Sequence, residues 1–116
     1  MQRRAWTLLR DMRDHARQAE RFAEGRDYAD YLGNDMLRAA VEREVMIVGE
    51  ALYQISEIEP DWQTLVTDAR AIVRTRHILV HGYSKVQPDV IWDIVRQDLP
   101  SLRREVDALL TQEPPV

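Results

Sequence analysis

The sequence predicts an all-α fold, an antiparallel bundle of four to five helices. Three observations predict it. Apolar residues recur at spacings of three and four almost throughout, and no alternating strand pattern of useful length occurs. The four Gly and five Pro mostly fall between the periodic stretches. Connections between the long helices are short, which favours antiparallel neighbours. At 116 residues and 45% apolar content, the chain reads as one domain over 1–116, able to bury roughly two thirds of its unfolded surface.

The elements follow in order. A first helix spans about Ala5 to Ala23, with Ala5, Leu8, Leu9, Met12, Ala16 and Ala19 on one face, and Gly25 stops it. Tyr28, Tyr31 and Leu32 suggest a short helical turn before Gly33. Asn34 caps a second long helix, whose buried face is Leu37, Ala40, Val41, Val48, Ala51, Leu52 and Ile55. Pro60 breaks the chain and Asp61 is placed to cap a third helix, bent near Thr67, that reaches His81. Gly82 is expected to end it in the left-handed conformation. Pro88 suits the first turn of a fourth helix lined by Ile91, Ile94, Val95, Leu99, Leu102, Val106 and Leu109, with a kink at Pro100. Residues 113–116 read as a frayed tail.

Composition excludes several classes. Without Cys, disulfide scaffolds, thiolate metal sites and cysteine nucleophiles are ruled out. The short apolar run at Ala5–Leu9 does not make a signal-peptide core, and no window approaches the roughly 20 apolar residues of a membrane span, so the expected location is the cytoplasm. Sixteen basic against twenty acidic residues leave −4, which by itself argues against a polyanionic partner. The distribution reverses that. From Ala69 to Pro88 the chain holds Arg70, Arg74, Arg76 and Lys85 and no acid, while the remaining residues carry −8.

At 100° per residue, Ala69, Ile72, Val73, Leu79, Val80 and Tyr83 fall within about 60° of Arg76. Arg76 is thus planted in an apolar face, which is costly unless an acidic partner or an anion meets it. Arg70, Arg74, His77 and His81 share the adjoining stripe. RNA carries its own nucleophile, the 2′-hydroxyl. Its cleavage needs a base, an acid and a cation for the crowded phosphorane. Histidine serves either proton role near neutral pH, and arginine grips phosphate through paired hydrogen bonds. Arg and His on one helix therefore fit a metal-independent ribonuclease.

The run Arg76-His77-Ile78-Leu79-Val80-His81-Gly82-Tyr83 resembles the Arg-x4-His-x-Tyr signature of HepT-like toxins in the HEPN superfamily. Ile47-Val48-Gly49-Glu50-Ala51, Trp62, Val90-Ile91-Trp92-Asp93-Ile94 and Asp98-Leu99-Pro100-Ser101-Leu102 agree with it in order. The family often has Asn where this chain has His77. The resemblance implies a homodimeric endoribonuclease toxin of a type VII (HEPN–MNT) toxin–antitoxin system, its paired motifs meeting in a cleft between subunits. It further implies Arg76 and His81 as catalytic residues, with His77 assisting, and cleavage that leaves a 2′,3′-cyclic phosphate. The implied partner is an MNT-type nucleotidyltransferase antitoxin that moves AMP from ATP onto Tyr83. ATP serves that partner, and this chain needs no cofactor or metal of its own.

Plainer readings stand beside these. Arg76 could be a structural arginine paired with Glu44 or Glu50, and Glu50 in turn could support the motif. His81 could be a histidine favoured by a helix C-terminus. His77 and His81 could ligate a metal, although no third ligand is evident. Arg70, Arg74 and Lys85 are candidates for RNA backbone contacts, while Arg70 and Arg74 could equally pair with Glu57, Glu59 and Asp61. Trp6, Trp62 and Trp92 read as core or interface residues, and His15 as exposed and silent. An alternative of another class is a non-catalytic substrate- or nucleotide-binding subunit of a two-component nucleotidyltransferase.

Overall fold

The computed structural model describes residues 1–67 and 69–115. Every regular element among them is helical. They are α1 (Arg3–Ala23), α2 (Tyr28–Leu32), α3 (Asp35–Ile58), α4 (Trp62–Leu65), α5 (Arg70–His81), a 3-10 turn (Tyr83–Lys85), α6 (Pro88–Asp93), a wide π turn (Ile94–Asp98) and α7 (Leu99–Leu110). The long helix α3 is the spine. It packs against α1 on one side and α5 on another, and α1 also packs against α7. None of the described helices is long and apolar enough to cross a membrane.

The face expected of α1 is the face it buries, with Ala5, Leu9, Met12, Ala16 and Ala19 inaccessible to solvent. Its alanines keep the stripe thin, so α3 and α7 can approach closely. Gly25, at φ 73°, carries the chain out of the helix in a conformation that other residues rarely adopt. Asp27 and Asp30 then form a reciprocal capping box on α2. The Asn34 side chain accepts from the Leu37 amide at 3.0 Å, satisfying one of the free donors at the start of α3. Trp6 and Trp92 are core residues, and Trp62 packs half-buried at the edge of the core.

Three local expectations are corrected. The third helix is not continuous from Asp61. α4 closes after one turn, Thr67 is drawn to Glu105 of α7 by its amide and its hydroxyl, and α5 starts afresh at Arg70. Asp61 makes no side-chain cap to α4. Gly82 has φ −142° rather than a left-handed conformation, because its amide closes the last turn onto Ile78 at 2.8 Å and its carbonyl opens the 3-10 turn with Lys85.

The break expected at Pro100 is accommodated one turn earlier. A proline ring crowds the carbonyl four residues before it and offers no amide. The wide turn over Ile94–Asp98, closed by the Leu99 amide on the Ile94 carbonyl, loosens the ladder just ahead of that point. Of the tail expected to fray, Glu113 pairs with Arg10, and residue 116 lies outside the described residues.

Candidate active site

Gly49 sets the geometry. A Cβ built on it would lie 2.4 Å from the Arg76 Cβ and 3.1 Å from the Ile72 carbonyl. Only a residue without a side chain lets α5 cross α3 this closely. The stem of Arg76 therefore lies across the backbone of α3, and its head emerges one residue further on, at Glu50. There Nη2 meets the Glu50 carboxylate at 2.6 Å, and the guanidinium carbon stands 5.2 Å from the centre of the Tyr53 ring. Gln54 donates to the other oxygen of Glu50 at 2.9 Å. The Arg76 Nε is buried with no hydrogen-bond partner among the described residues.

This resolves the choice of partner. Arg76 pairs with Glu50, whereas the buried Glu44 belongs to His15, whose Nδ1 lies 2.5 Å from it. His15 is thus half-buried and engaged, not exposed and silent. Beside the Arg76–Glu50 pair opens a cavity of about 290 Å³, with Leu8, Met46, Ile47 and Val80 forming its apolar wall. Arg76, Glu50 and Asp11 are the charged residues of its lining.

His77 and His81 lie on the adjoining stripe, both exposed, with ring centres 4.8 Å apart. No third His, Asp or Glu converges on them among the described residues. Arg76 makes no hydrogen bond to either ring in this arrangement. His81 is the last residue of α5. Arg70, Arg74 and Lys85 are exposed and form no ion pair among the described residues, so Glu57, Glu59 and Asp61 do not hold the two arginines. Glu59 instead accepts from the Gln2 amide.

One residue counted onto the Arg76 face leaves it. Val80 stays there, lining the cavity beside Arg76 although it is 44% exposed, whereas Tyr83 is 63% exposed. Tyr83 departs because α5 ends at His81, so a helical angular count no longer applies two residues later. Its hydroxyl donates to Glu42 at 2.8 Å, two turns along α3 from Glu50, and that bond raises the phenol pKa above its ordinary value. Sequence reading missed Glu42, Tyr53 and Gln54. The latter two sit three and four residues beyond Glu50 on the same helix face, a spacing that was available. Glu42 and Tyr83 are brought together only by the packing of α3 against α5.

Comparisons with known proteins agree with one another. The family model described as Ribonuclease HepT-like matches residues 12–109. A protein of Methanocaldococcus jannaschii whose name is that of an RNase is 30% identical over 102 residues, covering 86% of this chain and 91% of its own. "Probable ribonuclease HepT" of Thermococcus cleftensis is 30% identical over 111 residues, covering 94% and 98% respectively. No solved structure gives a significant match.

Proposed function

Given that the chain belongs to the HepT-like ribonuclease family, an enzyme family acting on RNA, we propose that its cleavage centre is formed by Arg76 and His81 at the interface of a homodimer. The observation that carries this reading is the setting of Arg76. Its stem is fixed across Gly49, its head is oriented by Glu50 at a cavity mouth, and its chain neighbours His77 and His81 stand exposed on an acid-free helix.

Glu50 meets Nη2 and Nε is buried, so a phosphate is held by the guanidinium donors at the exposed end of the side chain. The 2′-hydroxyl of the substrate attacks the adjacent phosphorus. His81 manages the proton, Arg76 stabilises the charge that grows on the phosphorane oxygens, and His77 assists. The products are a 2′,3′-cyclic phosphate and a free 5′-hydroxyl. Arg70, Arg74 and Lys85 hold the flanking backbone. The chain acts in the cytoplasm as the toxin of a type VII pair, without a cofactor of its own. An MNT-type nucleotidyltransferase antitoxin silences it by transferring AMP from ATP to Tyr83, placing a phosphodiester where RNA would approach.

The test is direct. Unmodified protein purified free of any partner cleaves cellular RNA in the presence of EDTA, and its fragments end in cyclic phosphate. Intact RNA after such treatment, or full activity in His81→Ala, overturns the assignment.

A further inference from the structure

Tyr83 stands on the exposed turn after α5, yet its hydroxyl is already committed to the carboxylate of Glu42, at 2.8 Å. Two other groups act on this pair. Arg38 lies one turn before Glu42 on α3, anchored by Asp35 and by the carbonyls of Tyr31 and Leu32. Tyr31 faces the pair from α2. A phenol–carboxylate bond this open to solvent contributes little to folding, because water replaces it readily. Its interest is chemical. A neutral phenol is a weak nucleophile, and a carboxylate within hydrogen-bonding reach can take its proton as a new bond forms.

Resting on the reading that Tyr83 accepts AMP, we infer that Glu42 is the general base of that transfer, supplied by the chain being modified. The Tyr83 Oη attacks the α-phosphorus of the nucleoside triphosphate held by the transferase. The Oη–phosphorus bond forms and the bond from that phosphorus to the bridging oxygen of the β-phosphate breaks. Pyrophosphate leaves, and the Oη proton passes to Glu42 and then to solvent. Until attack, the bond to Glu42 keeps the phenol protonated, consistent with its raised pKa. After transfer that hydrogen bond cannot persist, since the ester oxygen has no proton. The new phosphodiester anion is repelled by Glu42 and attracted by Arg38.

Glu42→Gln keeps the size and the hydrogen-bond acceptor but cannot take the proton. With a purified MNT-type nucleotidyltransferase, ATP and Mg²⁺, the first addition to each chain is followed by intact mass across a pH series. The variant is expected to react about 100-fold more slowly near neutral pH. Its deficit should shrink as pH rises toward the phenol range near about 10, where phenolate forms unaided. Equal rates, or a deficit that does not change with pH as a docking role would give, overturn the inference and leave Tyr83 as the acceptor. Absence of any adduct on the wild-type chain, or an adduct that persists in Tyr83→Phe, overturns the underlying reading and the inference with it.

Discussion

Helix α3 carries two glutamates six residues apart, about 120° around its axis, and each holds a basic side chain from a different neighbour. Glu44 turns toward α1, where it is 4% exposed and bound to His15, with Arg43 also in reach. Glu50 turns toward α5, where its side chain is 41% exposed and bound to Arg76. At the first pair the carboxylate is the buried member and has its partners. At the second, a buried guanidinium nitrogen is left without a partner and a cavity opens alongside. Two similar-looking ion pairs thus differ in their surroundings. The closed pair joins helices, and on the proposed reading the open one has room beside it for an anion.

The largest effects are expected at the open pair. Arg76→Ala and His81→Ala should each lower RNA cleavage by about 100-fold or more, with thermal unfolding changed little for the exposed histidine. Initial rates on a defined RNA, set beside melting curves, decide this. An Arg76→Ala enzyme that retains full rates would reduce the open pair to the same standing as the closed one. Next comes Gly49→Ala. Its added Cβ must push α5 outward, and overpacking of this kind costs about 1 to 3 kcal/mol. Urea unfolding should show the loss, and the displaced Arg76 should cut activity as well.

At the closed pair, Glu44→Ala is expected to cost about 0.5 to 1.5 kcal/mol of stability, since it removes the hydrogen bond that ties α3 to the half-buried His15 of α1. The molecules that remain folded should cleave RNA normally. Glu50→Ala should differ by adding a clear loss of rate, as Arg76 loses its orientation. If both variants behave alike, the distinction between the pairs fails. The smallest effects belong to Arg70→Ala and Arg74→Ala. Each should weaken RNA binding about equally across sequences and reduce the salt dependence by less than about one unit of slope per phosphate lost.

How much of this was readable beforehand varies with the range of the interaction. The buried stripe of α1, the Asn34 cap and the basic, acid-free α5 are local patterns, set by spacing within one helix. The partner of Arg76 was narrowed to two glutamates, since residues of α3 at several positions could face α5. Only the crossing at Gly49 decides between them. Tyr83 was misplaced because a single Gly ends the helical count, and a 3-10 turn then swings the ring toward Glu42. His15 was misjudged because its sequence neighbours are charged, whereas its actual neighbour lies on another helix, 29 residues away. Packing between helices, not pattern within them, carried the information that was missing.

The wide turn at Ile94–Asp98 has a consequence for how this protein tolerates change in length. An α-helix advances about 100° per residue, so the extra residue accommodated in that turn sets the rotational phase between α6 and α7. With that phase, Ile91 and Trp92 reach the core on one side of the turn while Leu99, Leu102 and Val106 reach it on the other. Deleting one residue here would close the wide turn into an ordinary helical turn and leave the α7 anchors facing the core, whereas deleting one within α7 would rotate the anchors beyond it by about 100°. A single deletion should therefore be forgiven more readily in this stretch than in the helices on either side of it.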